Sequence, residues 1–388
     1  MMETTSPSLN ILLVLPAWRM TSNRWKLSDH PYVQKKAFVA PLSLATIAAL
    51  TPPPHRTDIW DEAIHGLIDE DTVFEREYDL VGVGGYITSI FRAKAVARLF
   101  RGRGIPVVAG GAGVTASPEL YEDEFDAMVL GESERIWPQF VEAFVDGVRE
   151  GVFKDPETVD MTLSPPPDWR SLTPVLASSY AVGGVQTTRG CPFICEFCNV
   201  WKVFGRKMRT KPVAQVIDEI ETLHRRGVRV IAFCEDNFYG ARKYCKEVLA
   251  GVIALNDRLD EPLRYYAEIS INIARDEEVL ELLSKAGFAG LFIGVESPNV
   301  ESLAETAKVQ NLKGDLVETC LKIQSYGLPI EASMIVGFDH DDASIFDLQY
   351  AFFEAANIAL PRVRMLQARP GTDTFDKLMA AGRVLDVD

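Results

Sequence analysis

Short apolar runs that close on glycine or proline recur along the chain, with helix-patterned stretches between them. Leu9–Leu15 ends at Pro16 and suits a strand buried on both faces. Pro41–Leu50 predicts a helix with proline in its first turn. Thr57–Trp60 predicts a short strand, Leu80–Gly85 a strand entering a Gly-Gly turn, and Arg92–Arg101 a basic helix. Pro106–Ala109 leads into Gly110-Gly111, and Ala127–Leu130 into Gly131-Glu132. Strands that end in glycine and alternate with helices predict an α/β domain over residues 1–150, a doubly wound parallel sheet. Ligands on such sheets sit beyond the strands' carboxyl ends, where glycine permits close backbone approach. The same glycines also serve plain tight turns.

Residues 151–183 read as a linker, because Ser164-Pro-Pro-Pro-Asp168 cannot be regular helix or central strand. A second βα series occupies 184–388. Its expected strands are Val185–Thr188, Val228–Phe233, Tyr265–Ile269, Gly290–Val295, Glu331–Val336 and Arg362–Leu366. The clearest helix starts near Pro212, carries Val213, Val216, Ile217, Ile220 and Leu223 on one face, and stops before Gly227. Further helices are expected over 276–286, 314–326 and 343–356. Six strand–helix repeats suit a partial barrel with its chemistry at the strand carboxyl ends.

The 388 residues exceed what one core usually serves, consistent with two domains. A 47% hydrophobic content without low-complexity tracts predicts packed globular structure. The formal charge of −15 opposes a nucleic-acid backbone as partner. No apolar run reaches the ~18 residues of a membrane span, and Ile11–Leu15 lacks the flanks of a signal peptide. All six cysteines follow residue 190, and Cys234, Cys245 and Cys320 read as reduced core thiols. Such usage predicts a reducing, cytoplasmic location.

The other three, Cys191, Cys195 and Cys198, stand in a C-x3-C-x2-C array. Three thiolates without a fourth ligand suit an iron–sulfur cube that keeps one iron open. A structural zinc site wants four closed ligands, and none of the five histidines pairs with the array in zinc-type spacing. A distant fourth ligand for zinc, or plain buried thiols, are the competing readings. The array resembles the signature of the radical S-adenosylmethionine (SAM) superfamily, whose aromatic residue before the last cysteine is matched by Phe197. The resemblance implies a [4Fe-4S] cluster on the three thiolates, SAM on the open iron, and an external one-electron donor such as flavodoxin or ferredoxin. It also implies that Glu235 and Asp236, Glu268, and Glu296 and Ser297, at three strand ends, meet SAM. Carboxylates suit hydroxyl and ammonium donors, and they equally suit solvent. Arg206-Lys-Met-Arg209 and the turn Gln367-Ala-Arg-Pro-Gly-Thr372 have both cofactor-related and bland readings.

Placed before such a barrel, the first domain resembles a cobalamin-binding domain. The matching positions are Gly84, Gly85, Tyr86 and Thr88, Gly110 and Gly111, and Gly131 and Glu132. The Asp-x-His-x-x-Gly motif that gives cobalt a histidine is absent, since the one His-x-x-Gly, at His224, has Thr222 in place of Asp. Cobalt is therefore expected to lack a protein histidine, with Trp18 placed to shield its vacant face. Within the cobalamin-dependent radical SAM family, Ser302–Asp315 and Gly337-Phe-Asp-His-Asp341 look most like the hopanoid C-methylase group. The implied reaction is methylation of an unactivated carbon in a small molecule, lipids and isoprenoids included, with no side-chain acid or base required. That group usually extends further beyond the sixth strand than Asp388. Phe352 and Phe353 suit an apolar cavity or ordinary core. Rival expectations are an oxidative cyclase on the same scaffold, RNA methylthiolation, and a non-catalytic cobalamin carrier or sensor. The lack of any cysteine before Cys191 opposes methylthiolation.

Overall fold

The computed structural model describes residues 8–17 and 35–385. The chain divides into two compact units, one running to Gly184 with Arg225–Val228 added, the other comprising Val185–His224 and the residues from Arg229. Trp18 lies outside the described residues.

The first unit contains strands β1 (Asn10–Leu15), β2 (Ala37–Val39), β3 (Arg56–Asp61), β4 (Leu80–Gly84), β5 (Val107–Gly110), β6 (Ala127–Leu130), β7 (Gly151–Lys154) and most of β8 (Tyr180–Val185). Six form a parallel sheet in the order β3-β1-β4-β5-β6-β7. Order reverses at β1, which pairs with β3 on one side and β4 on the other, and that is the topological switch point where such sheets bind ligands. Ile11–Val14 are fully buried, as a both-faces strand requires. Helices Leu42–Leu50, Ile90–Gly102 and Ser133–Val145 pack on it. Arg92 does not lie at a helix start as expected; the helix begins at Ile90.

The linker reading needs adjusting. Gly151–Lys154 is the sheet's edge strand, and Thr173–Ser179 is a helix. The triple-proline stretch has no regular structure. Strand β8 starts at Tyr180 instead of Val185, because Gly183-Gly184 lie inside the strand and do not mark its start. Ala37 pairs with Tyr180 and Val39 with Val182, in parallel.

The second unit opens with two-residue strands β9 (Thr188–Arg189) and β10 (Arg209–Thr210), paired antiparallel. Parallel strands follow in sequential order: β11 (Val230–Phe233), β12 (Arg264–Glu268), β13 (Phe288–Glu296), β14 (Ile330–Val336) and β15 (Leu360–Met365). The Cys234 N–H donates to the carbonyl of Val185, so the end of β8 flanks β11. One face packs on the helices Val213–Arg225, Arg242–Asn256, Glu277–Ala286, Leu316–Gln324 and Ile345–Ala355, burying Tyr265, Ala267, Leu291, Ile293 and Val295. Stacked and tilted rings of Phe233, Phe238, Tyr265 and Phe288, with centroids 4.6–5.8 Å apart, fill that core. The expected helices all form, within two residues of their predicted ends; Arg242–Asn256 had not been delimited.

Candidate active site

The cysteine loop, residues 190–208, is closed at its base by the β9–β10 ladder. Gly190 sits at φ +99°, and a Cβ there would lie 2.7 Å from the Lys207 carbonyl, so only glycine fits. The Cys191 N–H donates to the Gly205 carbonyl (3.2 Å) and the Cys198 N–H to that of Cys195 (3.1 Å). Glu196 fastens the middle: its N–H bonds the Thr306 carbonyl, its carbonyl takes the Thr374 N–H, and its carboxylate pairs with Lys377 (2.6 Å). Cys191, Cys195 and Cys198 lie near enough to interact electrostatically, and all three are free thiols. Burial pushes Cys198 up to about 12 and raises Cys191 as well. Such thiols become ligands when a metal displaces the proton, which fits a cation-bearing cluster. Among the described residues no three candidate ligands converge on one ion. A cube that offers each thiolate its own iron does not require that.

Sequence reasoning missed the wall beside Cys195. Gln310, buried in the short 3₁₀ turn Val309–Leu312, donates through Nε2 to the Cys195 sulfur (3.7 Å). Lys308 pairs with Glu296 (2.7 Å) and stands 5.6 Å over the Phe197 ring. The pair is almost dry, with side chains 12% and 6% exposed. A bulge between Gly294 and Glu296 puts Glu296 at φ +69° and folds its carboxylate back over Gly294, where a Cβ would collide with it. Asn311 Nδ2 holds the Gly294 and Val295 carbonyls (2.9 and 2.8 Å). No local periodicity announces these residues; they matter only because the fold brings their turn to the cysteines.

The strand ends place the other expected residues differently from one another. Glu235 is buried, accepts from the Thr187 N–H (2.5 Å), and leaves Oε2 unpartnered. Burial pushes its carboxyl up to about 8, and that of Asp236, which faces Cys191 and Cys198, up to about 6. Ser297 is fully buried and its Oγ accepts from the Asn299 N–H (3.1 Å). Asn237, beside Asp236, accepts from the Ser270 N–H and hydroxyl (3.2 and 3.0 Å). Glu268 lies on the face away from the helices, its surface reachable by solvent between the neighbouring walls, and loss of solvation there raises its carboxyl to about 7. Asp236 thus acts electrostatically on Cys191 and Cys198 and Phe197 lies under Lys308, whereas Glu235 and Ser297 hold backbone in place.

In the first unit the glycine-ended strands gather as expected. Gly85 and Gly111 are so close that a Cβ on Gly111, at φ +102°, would lie 3.2 Å from the Gly85 carbonyl. The Gly113 N–H donates to that same carbonyl (3.3 Å). Tyr86, Thr88 and Gly111 are exposed around this ledge, while Gly84, Gly85 and Gly110 are half-buried. Gly131, at φ +90°, donates to Thr115 Oγ1 (2.9 Å), and Glu132 is buried. Glu62, whose carboxylate sequence reasoning missed, holds the Ala17 N–H just after β1 (2.8 Å) and pairs with Arg92. A shelf of bare backbone at the switch point fits a broad planar ligand.

A parallel-stranded unit with an open three-cysteine loop at its strand ends defines a radical SAM enzyme. Residues 185–348 match the family model of the Radical SAM superfamily. Hopanoid C-2 methylase of Rhodopseudomonas palustris is 30% identical over 100% of this chain and 73% of its own length. An uncharacterized methyltransferase of Synechocystis is 32% identical over 91% of this chain and 65% of its own length. The radical SAM methyltransferase TsrM of Kitasatospora setae superposes with a TM-score of 0.77 at 17% identity, over 96% of this chain and 76% of that one. The chain belongs to the cobalamin-dependent radical SAM enzyme family that includes the hopanoid C-2 methylase. It is an enzyme of the radical SAM methyltransferase class, whose cofactors are a [4Fe-4S] cluster, SAM and cobalamin.

Proposed function

We propose that this enzyme methylates an unactivated carbon of a small molecule, drawing each electron from an external donor in a reducing compartment. When bound, the cluster with SAM supplies a radical that removes hydrogen from carbon, and cobalamin supplies the methyl group. Cys191, Cys195 and Cys198 hold the cluster. Phe197, Asp236 and Glu268 line the SAM position, Glu235 and Ser297 set the backbone that borders it, and Lys308 pairs with Glu296. Gly84, Gly85, Tyr86, Thr88, Gly110, Gly111, Gly131 and Glu132 form the cobalamin shelf. Among the described residues no helix is long and apolar enough to cross a membrane. The observation that carries this reading is one chain holding both the open cysteine loop and a glycine-walled switch point.

Oxygen-free protein, refilled with iron, sulfide and cobalamin and given SAM with a deuterated methyl group, tests it against candidate lipid extracts. Mass spectrometry should find a product gaining one labelled methyl. A product that loses hydrogens and gains no carbon would replace the reading by oxidative ring formation.

A further inference from the structure

Strand β15 pairs Arg362 with Ser333 and Arg364 with Ile335, so the two arginines repeat two residues apart and share one face. It is the face turned away from the helices. There Tyr266 donates to Glu331 (2.6 Å), Arg362 pairs with Glu331, and the Arg362 guanidinium lies 5.5 Å over Phe292. Arg362 is committed. Arg369 is engaged too, with Nε and Nη2 on the Gln367 side-chain oxygen (3.1 and 2.9 Å). Arg364, nearer the carboxyl end where ligands enter, has no hydrogen bond or ion pair among the described residues. Partial loss of solvation and the like charges of Arg362 and Arg369 lower its pKa, partly offset by Glu268 and Glu296. Glu296 is already held by Lys308. Three guanidiniums thus converge where one carboxylate is bonded to any of them, and an anion would relieve the repulsion.

We propose that Arg364 receives an oxyanion, a carboxylate or a phosphate, carried by the substrate. The inference rests on the methyltransferase reading for what occupies this face, and it narrows the substrate to an anion-bearing molecule. A planar guanidinium fork matches two oxygens of such a group and gains nothing from bare hydrocarbon.

Calorimetric titration of the reconstituted full chain with octanoate, octyl phosphate and octanol tests it, using wild type, Arg364→Gln and Arg364→Lys. Arg364 is exposed and makes no hydrogen bond or ion pair among the described residues, so both variants should fold. One anionic probe is expected to bind wild type about tenfold more tightly than octanol, Arg364→Gln to erase the difference, and Arg364→Lys to restore part of it. The probe that wins tells carboxylate from phosphate. Equal binding of all three by wild type, or an undiminished preference in Arg364→Gln, overturns the proposal. SAM affinity and substrate-free release of 5′-deoxyadenosine are followed in parallel and should stay within about twofold in Arg364→Gln. Their collapse would assign Arg364 to the carboxylate of SAM and also overturn it. A wild type that shows the anion preference but cleaves no SAM would sink the methyltransferase reading alone.

Discussion

Gln310 shows how a single buried amide can govern a site whose ligands lie elsewhere in the sequence. An N–H aimed at a cluster sulfur withdraws electron density and favours the reduced state. Gln310→Leu keeps the side chain's bulk and removes the donor to Cys195. The cluster's midpoint potential is expected to fall by tens of millivolts, on the order of 50 mV, in a redox titration followed by electron paramagnetic resonance. An unchanged potential would reduce Gln310 to packing. Glu235 offers a second reading at this scale, through pH. Its folded carboxyl is raised to about 8 from 4.5, chiefly by burial. The fold favours the neutral form, so its stabilising share is whole below 4.5 and drains away as pH climbs through 8. Glu235→Gln stays neutral and keeps an acceptor for the Thr187 N–H. In cofactor-free protein its melting temperature should match wild type near about pH 5 and exceed it near about pH 9. Glu235→Ala strands a buried N–H and should cost about 1–3 kcal/mol throughout.

The cysteine loop has only the single helical turn Val200–Val203, and it is held by its ends, by Glu196 in its middle and by one glycine. Gly190→Ala would strain the backbone at φ +99° and press a methyl onto the Lys207 carbonyl. Iron bound after reconstitution should drop several-fold while far-ultraviolet circular dichroism holds, because the strands beside the loop do not depend on Gly190. Wild-type iron content in that variant would mean that the loop tolerates a different path. The loop's cysteines were legible because their spacing is itself the chemistry. The strands of both sheets were legible where apolar runs met glycine, as at β4 and β5. Strand β7 was not, since an edge strand with Val152 57% exposed carries no buried face to read. The start of β8 was hidden because glycine pairs usually punctuate and here lie inside a strand. At the site, Phe197 and Asp236 were picked out by their adjacency to a motif or a strand end. Lys308, Gln310 and Asn311 lay in a 3₁₀ turn and flanking loop more than a hundred residues from Cys195, a relation that only tertiary structure creates. Glu296 was picked out for a ligand, yet its bulge turns it onto Lys308.

Each of the two units encloses its own apolar core, and the residues proposed for each cofactor fall within one unit. Loading of one cofactor is therefore expected to survive loss of the other. Replacing Cys191, Cys195 and Cys198 together by Ala should abolish iron–sulfur absorbance, since the loop then offers no thiolate. Cobalamin affinity, read by absorbance titration with hydroxocobalamin, should stay within about twofold, because the shelf of Gly84, Gly85 and Gly111 belongs wholly to the other core. The converse variant uses an exposed position, so that folding is not at issue. Thr88→Trp puts a bulky ring on the open rim and should weaken cobalamin by about tenfold or more while leaving iron content and SAM cleavage near wild type. Loss of cobalamin binding in the cysteine variant, with circular dichroism unchanged, would show that the shelf is assembled only around a loaded cluster. In that event the shelf residues would need the neighbouring unit's cofactor to reach their binding geometry, and the glycine contacts seen within the first unit would not suffice to make it.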